Sequence, residues 1–218
     1  MKERVLVALL ALLPALPVMA NDALLDEALA RPAQPKGAGG YILSTNTLSG
    51  GKEPEVEHER IDLTAKPDEA FASYDELKDV VGMKAELVSS EGGRSRYHFR
   101  TRKVPQGTKQ PKGVKIQDDD DDMEFDGTAD VVRDGHGKPY VSHLQLHMRH
   151  ATGPMVGRIK AMDLAYGFTP SADGATMVAT DATANANIRA LFFIHRQFSL
   201  VSQWVPSEGA VVRAPPSE

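Results

Sequence analysis

The 218-residue chain has no cysteine, one tryptophan and few other aromatic residues. Without cysteine it can form neither disulfides nor thiol-based redox centres, and it cannot carry a lipoprotein anchor. It also lacks a Gly-x-Ser-x-Gly turn, a complete P-loop and a His-Glu-x-x-His motif, which are the usual signs of a serine hydrolase, a nucleotide-binding enzyme and a zinc protease. Because these motifs are absent, the sequence offers little support for an enzyme, and we expect no cofactor.

The N-terminal 20 residues have the layout of a Sec-type export signal. Lys2 and Arg4 precede an apolar run over residues 5–18, and small residues end the segment before Asn21. The run is shorter than the ~20 residues that cross a bilayer and contains Pro14 and Pro17. We therefore expect a periplasmic or secreted protein whose mature chain has no transmembrane segment.

The charge balance is mildly acidic. The chain has 25 basic and 30 acidic residues, and removal of residues 1–20 leaves 23 and 29, a net charge of −6. Nucleic-acid-binding domains are usually basic. We therefore expect no nucleic-acid partner.

The first third of the mature chain mixes short helices and strands. Apolar residues at helical spacing predict a helix over residues 22–30, ended by Pro32, and residues 33–40 read as a linker. Strands are predicted over residues 41–48 and 56–63. A second helix is predicted over residues 74–81, with Ser73 and Glu76 as a capping box and Gly82 at its C-terminus.

Beyond Gly82 the apolar period changes to two, which indicates strands. Turn residues at 91–93, 134–137, 152–154 and 171–174 separate the strands at the intervals of an antiparallel meander. The last segment, residues 188–205, also fits a helix, but strand is the preferred interpretation. The predicted class is α+β: mostly antiparallel β meander, a half-barrel or open barrel, with short N-terminal helices. Residues 41–205 form one β-rich domain, residues 21–40 a short helix and linker, and residues 206–218 a disordered tail.

Two charged stripes are predicted to face each other across a hairpin. Alternate residues from Arg94 to Arg102 are basic, and the even positions from Asp118 to Asp130 are mostly acidic. Each pair of opposite charges on neighbouring strands stabilises the sheet by ~0.2–1 kcal/mol and helps to fix the register. On the other face of the hairpin, Tyr97 and Phe99 are expected to meet Met123 and Phe125. An anion or headgroup site at Arg96, Arg100 and Arg102 is the functional alternative.

A divalent-cation site is a further alternative for the acidic run. It would use the aspartates Asp118, Asp119, Asp120, Asp121 and Asp122, which do not follow the EF-hand pattern of glycine and glutamate. The loop over residues 103–117 is longer than a hairpin turn and could form a flap.

Three histidines, His143, His147 and His150, lie in one alternating segment. In a strand, residues four apart stand about 13 Å from each other, so no metal site is predicted there. Asp163 and Asp181 lie in apolar strands, where scaffolding is the preferred role. No catalytic residue is assigned.

The last strands carry more apolar surface than a chain with few helices easily covers. Residues 159–168 show one bulky face at Met162, Leu164, Tyr166 and Phe168. A second face of small residues is formed by Ile159, Ala161, Ala165 and Gly167, and the final segment adds another apolar side. An apolar ligand could cover such a face, with these residues as its candidate contacts: Met162, Leu164, Tyr166, Phe168, Phe192, Phe198 and Trp204.

The chain also resembles a group of uncharacterised secreted proteobacterial proteins. The shared features are Glu59-Arg60-Ile61-Asp62, Lys138-Pro139-Tyr140 and Gly153-Pro154-Met155. The layout of the meander is similar, at fold level, to the half-barrels of periplasmic lipoprotein carriers. With a closing helix it would resemble a lipid-binding START-type domain. The resemblance implies an exported β-rich domain and transfers no catalytic residue.

The sequence therefore favours an exported, non-enzymatic protein that binds an apolar or amphipathic ligand such as a lipid, or an envelope protein. The alternatives are a hydrolase acting on an envelope substrate, with aspartates and histidines of the central strands as its candidates, and a structural protein of the envelope.

Overall fold

A computed structural model describes residues 22–35, 39–105, 123–153, 157–190 and 193–207. The export signal, the aspartates 118–122, most of the long loop and most of the tail lie outside these ranges. Nine strands dominate the described part: β1 (Tyr41–Ser49), β2 (Glu55–Asp62), β3 (Glu86–Glu91), β4 (Arg94–Thr101), β5 (Phe125–Arg133), β6 (Pro139–Met148), β7 (Gly157–Pro170), β8 (Met177–Ala190) and β9 (Ile194–Val205).

The strands form one antiparallel sheet in the order β2-β1-β9-β8-β7-β6-β5-β4-β3. From β3 to β9 each strand pairs with its neighbours in sequence. The β1–β2 hairpin extends the sheet beyond β9, because β1 pairs with β9. The two edges, β2 and β3, do not pair with each other in the described residues, so the sheet is open and not closed into a barrel. The prediction of a mostly antiparallel β meander is confirmed.

Short helical segments lie between and before the strands. They are α1 (Ala23–Leu29), two 3-10 turns (Pro67–Glu69 and Tyr74–Glu76) and α2 (Leu77–Val81). Asp22 caps α1 by accepting from the Leu24 N–H, and Gly82 ends α2 with φ 68°, a value that favours glycine. The predicted capping box is wrong, because the Ser73 side chain makes no capping hydrogen bond.

The helical segments cover only one face of the sheet, which we call the inner face. Helix α1 packs on β5 and β6, and α2 packs on β4. The alternation along β4 shows the division clearly: Tyr97 and Phe99 are buried on the inner face, whereas Arg96 and Arg100 lie on the opposite, outer face. The outer face is mostly polar because strand side chains alternate.

Three sequence expectations need correction. Ile188 belongs to β8, and the last strand begins only at Ile194, although strand rather than helix is confirmed for that segment. Bulges in β7 between Ile159 and Ala161 and between Gly167 and Phe168 shift the alternation. Ile159 is therefore buried like Met162, and the opposite side of β7 carries the exposed Asp163 rather than a continuous apolar face.

Tyr74 joins three elements in the core. Its hydroxyl donates to the carbonyl of Ala28 in α1 at 2.9 Å and accepts from the N–H of Val141 in β6 at 2.7 Å. Its ring meets Phe168 edge-on, with centroids 5.3 Å apart. Burial raises the pKa of Tyr74 strongly, so the hydroxyl keeps its proton and both hydrogen bonds.

Arg31 fixes the end of α1 to two turns of the sheet. It donates to Asp134 Oδ2 at 2.8 Å, in the turn between β5 and β6, and to the carbonyl of Gly174 at 2.8 Å, in the turn between β7 and β8. Both partners of the ion pair are nearly inaccessible to solvent, at 8% and 5% exposure. A pair this buried depends on complete hydrogen bonding.

The Arg31–Asp134 ion pair should make the free energy of unfolding depend on pH. Desolvation raises the pKa of Asp134, but hydrogen bonds from Arg31 and from the N–H groups of Lys138 and His136 outweigh it and lower that pKa below its usual 3.8. A depressed carboxyl pKa adds stability above the unfolded-state value, and this stability disappears as the pH falls through the folded-state pKa. In urea titrations between about pH 7 and pH 2, we expect Asp134→Asn to differ most from the native chain at neutral pH and least at low pH. Parallel curves would contradict this expectation.

Candidate functional site

A cavity of about 160 Å³ lies between the inner face and the segment that follows β2. Its apolar wall consists of side chains from the sheet and from the covering segment: Ile42, Leu63, Phe71, Met177 and Trp204. Polar residues that include Gln34, Asp68 and Glu76 line the same cavity. The space therefore combines an apolar wall with polar groups.

Small side chains in β8 and an irregular cover explain why this space stays unfilled. Ala179 lines the cavity, and Ala182 and Ala184, both buried on the inner face, border a second void of about 10 Å³ beside it. The cover over residues 63–73 contains one 3-10 turn and no α-helix. Ala72 within it has φ 51°, a conformation that costs a non-glycine residue on the order of 1–3 kcal/mol.

The sheet contributes two hydroxyls next to this space. Ser44 in β1 and Ser202 in β9 lie opposite each other and share a buried hydrogen bond of 2.8 Å. Both line the smaller void together with Phe71 and Tyr166. The hydroxyls satisfy each other, so the floor of the void carries no unpaired polar group from this pair.

The structure gathers only part of the predicted ligand set at the cavity. Trp204 lines the main cavity and Tyr166 the small void. The other described members are core residues of the inner face, all less than 8% exposed: Met162, Leu164, Phe168 and Phe198. Phe192 lies outside the described residues.

Sequence reasoning missed Leu63, Phe71 and Met177 as cavity residues. Phe71 lies between Ala70 and Ala72 in a segment with no regular apolar pattern, so no sequence signal assigned it to the cavity. Met177 begins β8, where its carbonyl and N–H bond Gln34 and Pro32. These contacts bring the N-terminal segment to the cavity rim.

The arginine stripe is confirmed as one face of β4, but carboxylates engage two of the three predicted anion contacts. Arg96 forms a bidentate pair with Asp130 at 2.7 and 2.9 Å. Arg100 lies 3.4 Å from Asp126. Arg102 is exposed just after β4. The pairing of β4 with β5 is as predicted, although Tyr97 and Phe99 face Ala129 and Gly127 rather than Met123 and Phe125.

A second depression, of about 410 Å³, lies on the outer face across β4–β8. Its polar lining includes His98, Asp126, Thr128, Gln145, His147, Asp163 and Asn185. His147 contacts Asp163, with side-chain exposures of 68% and 55%. No group of three or more histidine or acidic residues among the described ranges is arranged to hold a metal ion.

Asp126, which lines this depression, lies close to two arginines and a histidine. Arg149 Nε lies 3.3 Å and His98 Nε2 3.6 Å from its carboxylate, in addition to Arg100. The charges of the outer face are therefore largely balanced by neighbours on adjacent strands, as the cross-strand interpretation of the two stripes predicts.

Comparison with known proteins gives no relative: no family model, curated protein or solved structure matches this chain. Within the described ranges, no helix has the length and apolar character needed to cross a membrane. The function must therefore be inferred from the structure of the chain itself.

Proposed function

We propose that this chain is an exported, non-enzymatic protein that binds an apolar or amphipathic ligand in the cavity under residues 63–73. The observation that carries the proposal is the partly apolar cavity between the inner face and its irregular cover. We further propose an α+β half-barrel of the lipoprotein-carrier type as the fold, and a periplasmic or secreted location.

The size of the cavity limits the ligand. A dry apolar cavity of ~150 Å³ accommodates a molecule as small as benzene, so about 160 Å³ suits the apolar end of an amphipathic molecule. A longer acyl chain requires outward displacement of the cover. The cover contains one short 3-10 turn and the exposed Lys66–Glu69 ion pair, and its movement would take the buried side chains of Leu63 and Phe71 out of the core.

A hydrolase is the weaker candidate. His147 and Asp163 do meet, but on an open face where both side chains are more than half exposed. Hydrolytic sites gain most from charges held in a water-excluded pocket. An interaction protein of the envelope is the candidate that remains if the cavity binds nothing.

Trp204 provides a direct test because it is the only tryptophan in the chain and lines the cavity. We expect a saturable change of its fluorescence on titration with monoacyl lipids of increasing chain length, below their micelle concentrations. Each added methylene contributes ~0.8 kcal/mol, so affinity should rise about fourfold per methylene until the cavity is filled.

A pair of size-matched variants makes the test specific. Ala179→Phe fills the cavity from β8 and should abolish the saturable response, whereas Ala161→Phe adds the same bulk to the outer face of β7 and should leave it unchanged. Circular dichroism checks that both variants fold. Absence of a saturable response in the native chain, or equal responses in both folded variants, would overturn the proposal.

A further inference from the structure

Three neighbouring strands of the outer face carry a patch of side chains without charge. Three consecutive rows cross β8, β9 and β1, and in each row the residues of neighbouring strands lie directly opposite each other. The rows consist of Thr183, Val201 and Thr45; of Asn185, Ser199 and Thr47; and of Asn187, Gln197 and Ser49. We call these residues the neutral patch. All of them except the valine end in a hydroxyl or an amide group.

The polar side chains of the neutral patch are almost all available to a ligand. Within the described ranges, Thr45 is the one member whose side chain forms a hydrogen bond, with His58. Asn185, Asn187 and Gln197 are exposed. A partner that covers these groups must replace their hydrogen bonds to water, because an unpaired polar group is costly to bury.

The neutral patch adjoins the depression of the outer face. Thr183 and Asn185 belong to both. Ala165 of β7 lies between Gln145 of β6 and Thr183 of β8, and its small side chain leaves space between these two polar neighbours. The depression and the neutral patch therefore form one continuous polar surface over β6, β7, β8, β9 and β1.

Charged residues border the neutral patch but are not part of it. On β8, Asp181 precedes the patch and Arg189 follows it. On β7, Asp163 lies opposite Asn185 and contacts His147. The patch itself attracts neither an anion nor a cation, so it suits an uncharged partner.

We propose that the neutral patch binds an uncharged polysaccharide chain. Sugar hydroxyls both donate and accept hydrogen bonds, as the hydroxyls and amides of the patch do. In an extended β-linked hexose chain each sugar covers about one strand spacing, ~4.8 Å, so successive sugars meet Asn185, Ser199 and Thr47 along one row. A protein partner fits less well, because protein interfaces centre on aromatic and arginine anchors and the patch contains neither. The site lies on the opposite face of the sheet from the cavity and does not depend on the proposed function.

The test follows the side-chain amide signals of Asn185, Asn187 and Gln197 by NMR during titration of the chain with neutral oligosaccharides. The probes are malto-, cello- and N-acetylated chito-oligosaccharides, from dimers to hexamers. We expect saturable shifts of these signals with at least one series. Affinity should rise with length until the oligosaccharide spans β7, β8, β9 and β1, which is three strand spacings or about 14 Å.

Matched variants connect the binding to the patch. Asn185→Ala and Ser199→Ala should each weaken binding by about two- to tenfold, the usual net effect of one lost hydrogen bond. Ser89→Ala makes the same change at an exposed position of β3, six strands from β9, and should leave binding unchanged. Circular dichroism checks that all three variants fold.

Four results would overturn the proposal. They are no saturable shift with any of the three series, an affinity that does not depend on length, equal losses in Ser199→Ala and Ser89→Ala, and shifts of the same signals only when the chain alone is concentrated. The last result would indicate that a second copy of this chain covers the patch.

Discussion

Arg31→Ala should lower the free energy of unfolding by about 3–5 kcal/mol, the usual cost of removing one partner from a buried ion pair. Asp134 would keep its hydrogen bonds from the N–H groups of His136 and Lys138, but its charge would lose the guanidinium. The Gly174 carbonyl would lose a donor as well. For a domain of 150–250 residues, each kcal/mol lowers Tm by about 2–4 °C, so calorimetry and urea unfolding both measure the effect.

Arg133→Ala is the matched control. Arg133 is exposed and donates to the carbonyl of Gly137, in the same turn that holds Asp134. Its removal should cost well under 1 kcal/mol, since exposed polar contacts contribute little. Replacing both partners together, as Arg31→Met with Asp134→Leu, should recover much of the loss because no buried charge remains. A loss in Arg31→Ala no larger than in Arg133→Ala would contradict the role given to this pair.

The sheet was predictable from the sequence because it depends on local alternation. Basic residues at every second position of β4 face acidic residues of β5, and turn residues such as Gly92 and Gly93, both with positive φ, separate the strands. An outer face of charges and an inner face of apolar residues are consequences of the two-residue period. The strand preference for the final segment is confirmed for the same reason.

The covering layer was not predictable because distant residues hold it. Arg31 and Asp134 are 103 positions apart, and Tyr74 and Val141 are 67 apart. No periodicity signals such contacts. The cover over residues 63–73 has no regular pattern, so neither Leu63 nor Phe71 could be assigned to the cavity before the N-terminal segment and β8 were placed.

The register between β4 and β5 was the second feature that the sequence could not predict. The pattern predicts the pairing of the two strands and the shared face but not the offset, and a shift of two residues preserves every face. The structure places Phe99 opposite Gly127. The ring occupies the position of the missing side chain: a Cβ at Gly127 would lie 2.3 Å from Phe99 Cζ.

Gly127→Ala should therefore lower the free energy of unfolding by about 1–3 kcal/mol, the usual cost of overpacking a core. Phe99 is 2% exposed and can move only by displacing other core side chains. The double variant Phe99→Leu with Gly127→Ala should lose less than the sum of the two single variants, because the smaller side chain makes room for the added methyl group. Gly135→Ala, where nothing lies within 4 Å of the new Cβ, is the control and should be nearly neutral. If the losses in free energy of unfolding were additive in the double variant, the cost of Gly127→Ala would come from the backbone conformation at Gly127. It would then not come from the Phe99 ring that fills the space above Gly127.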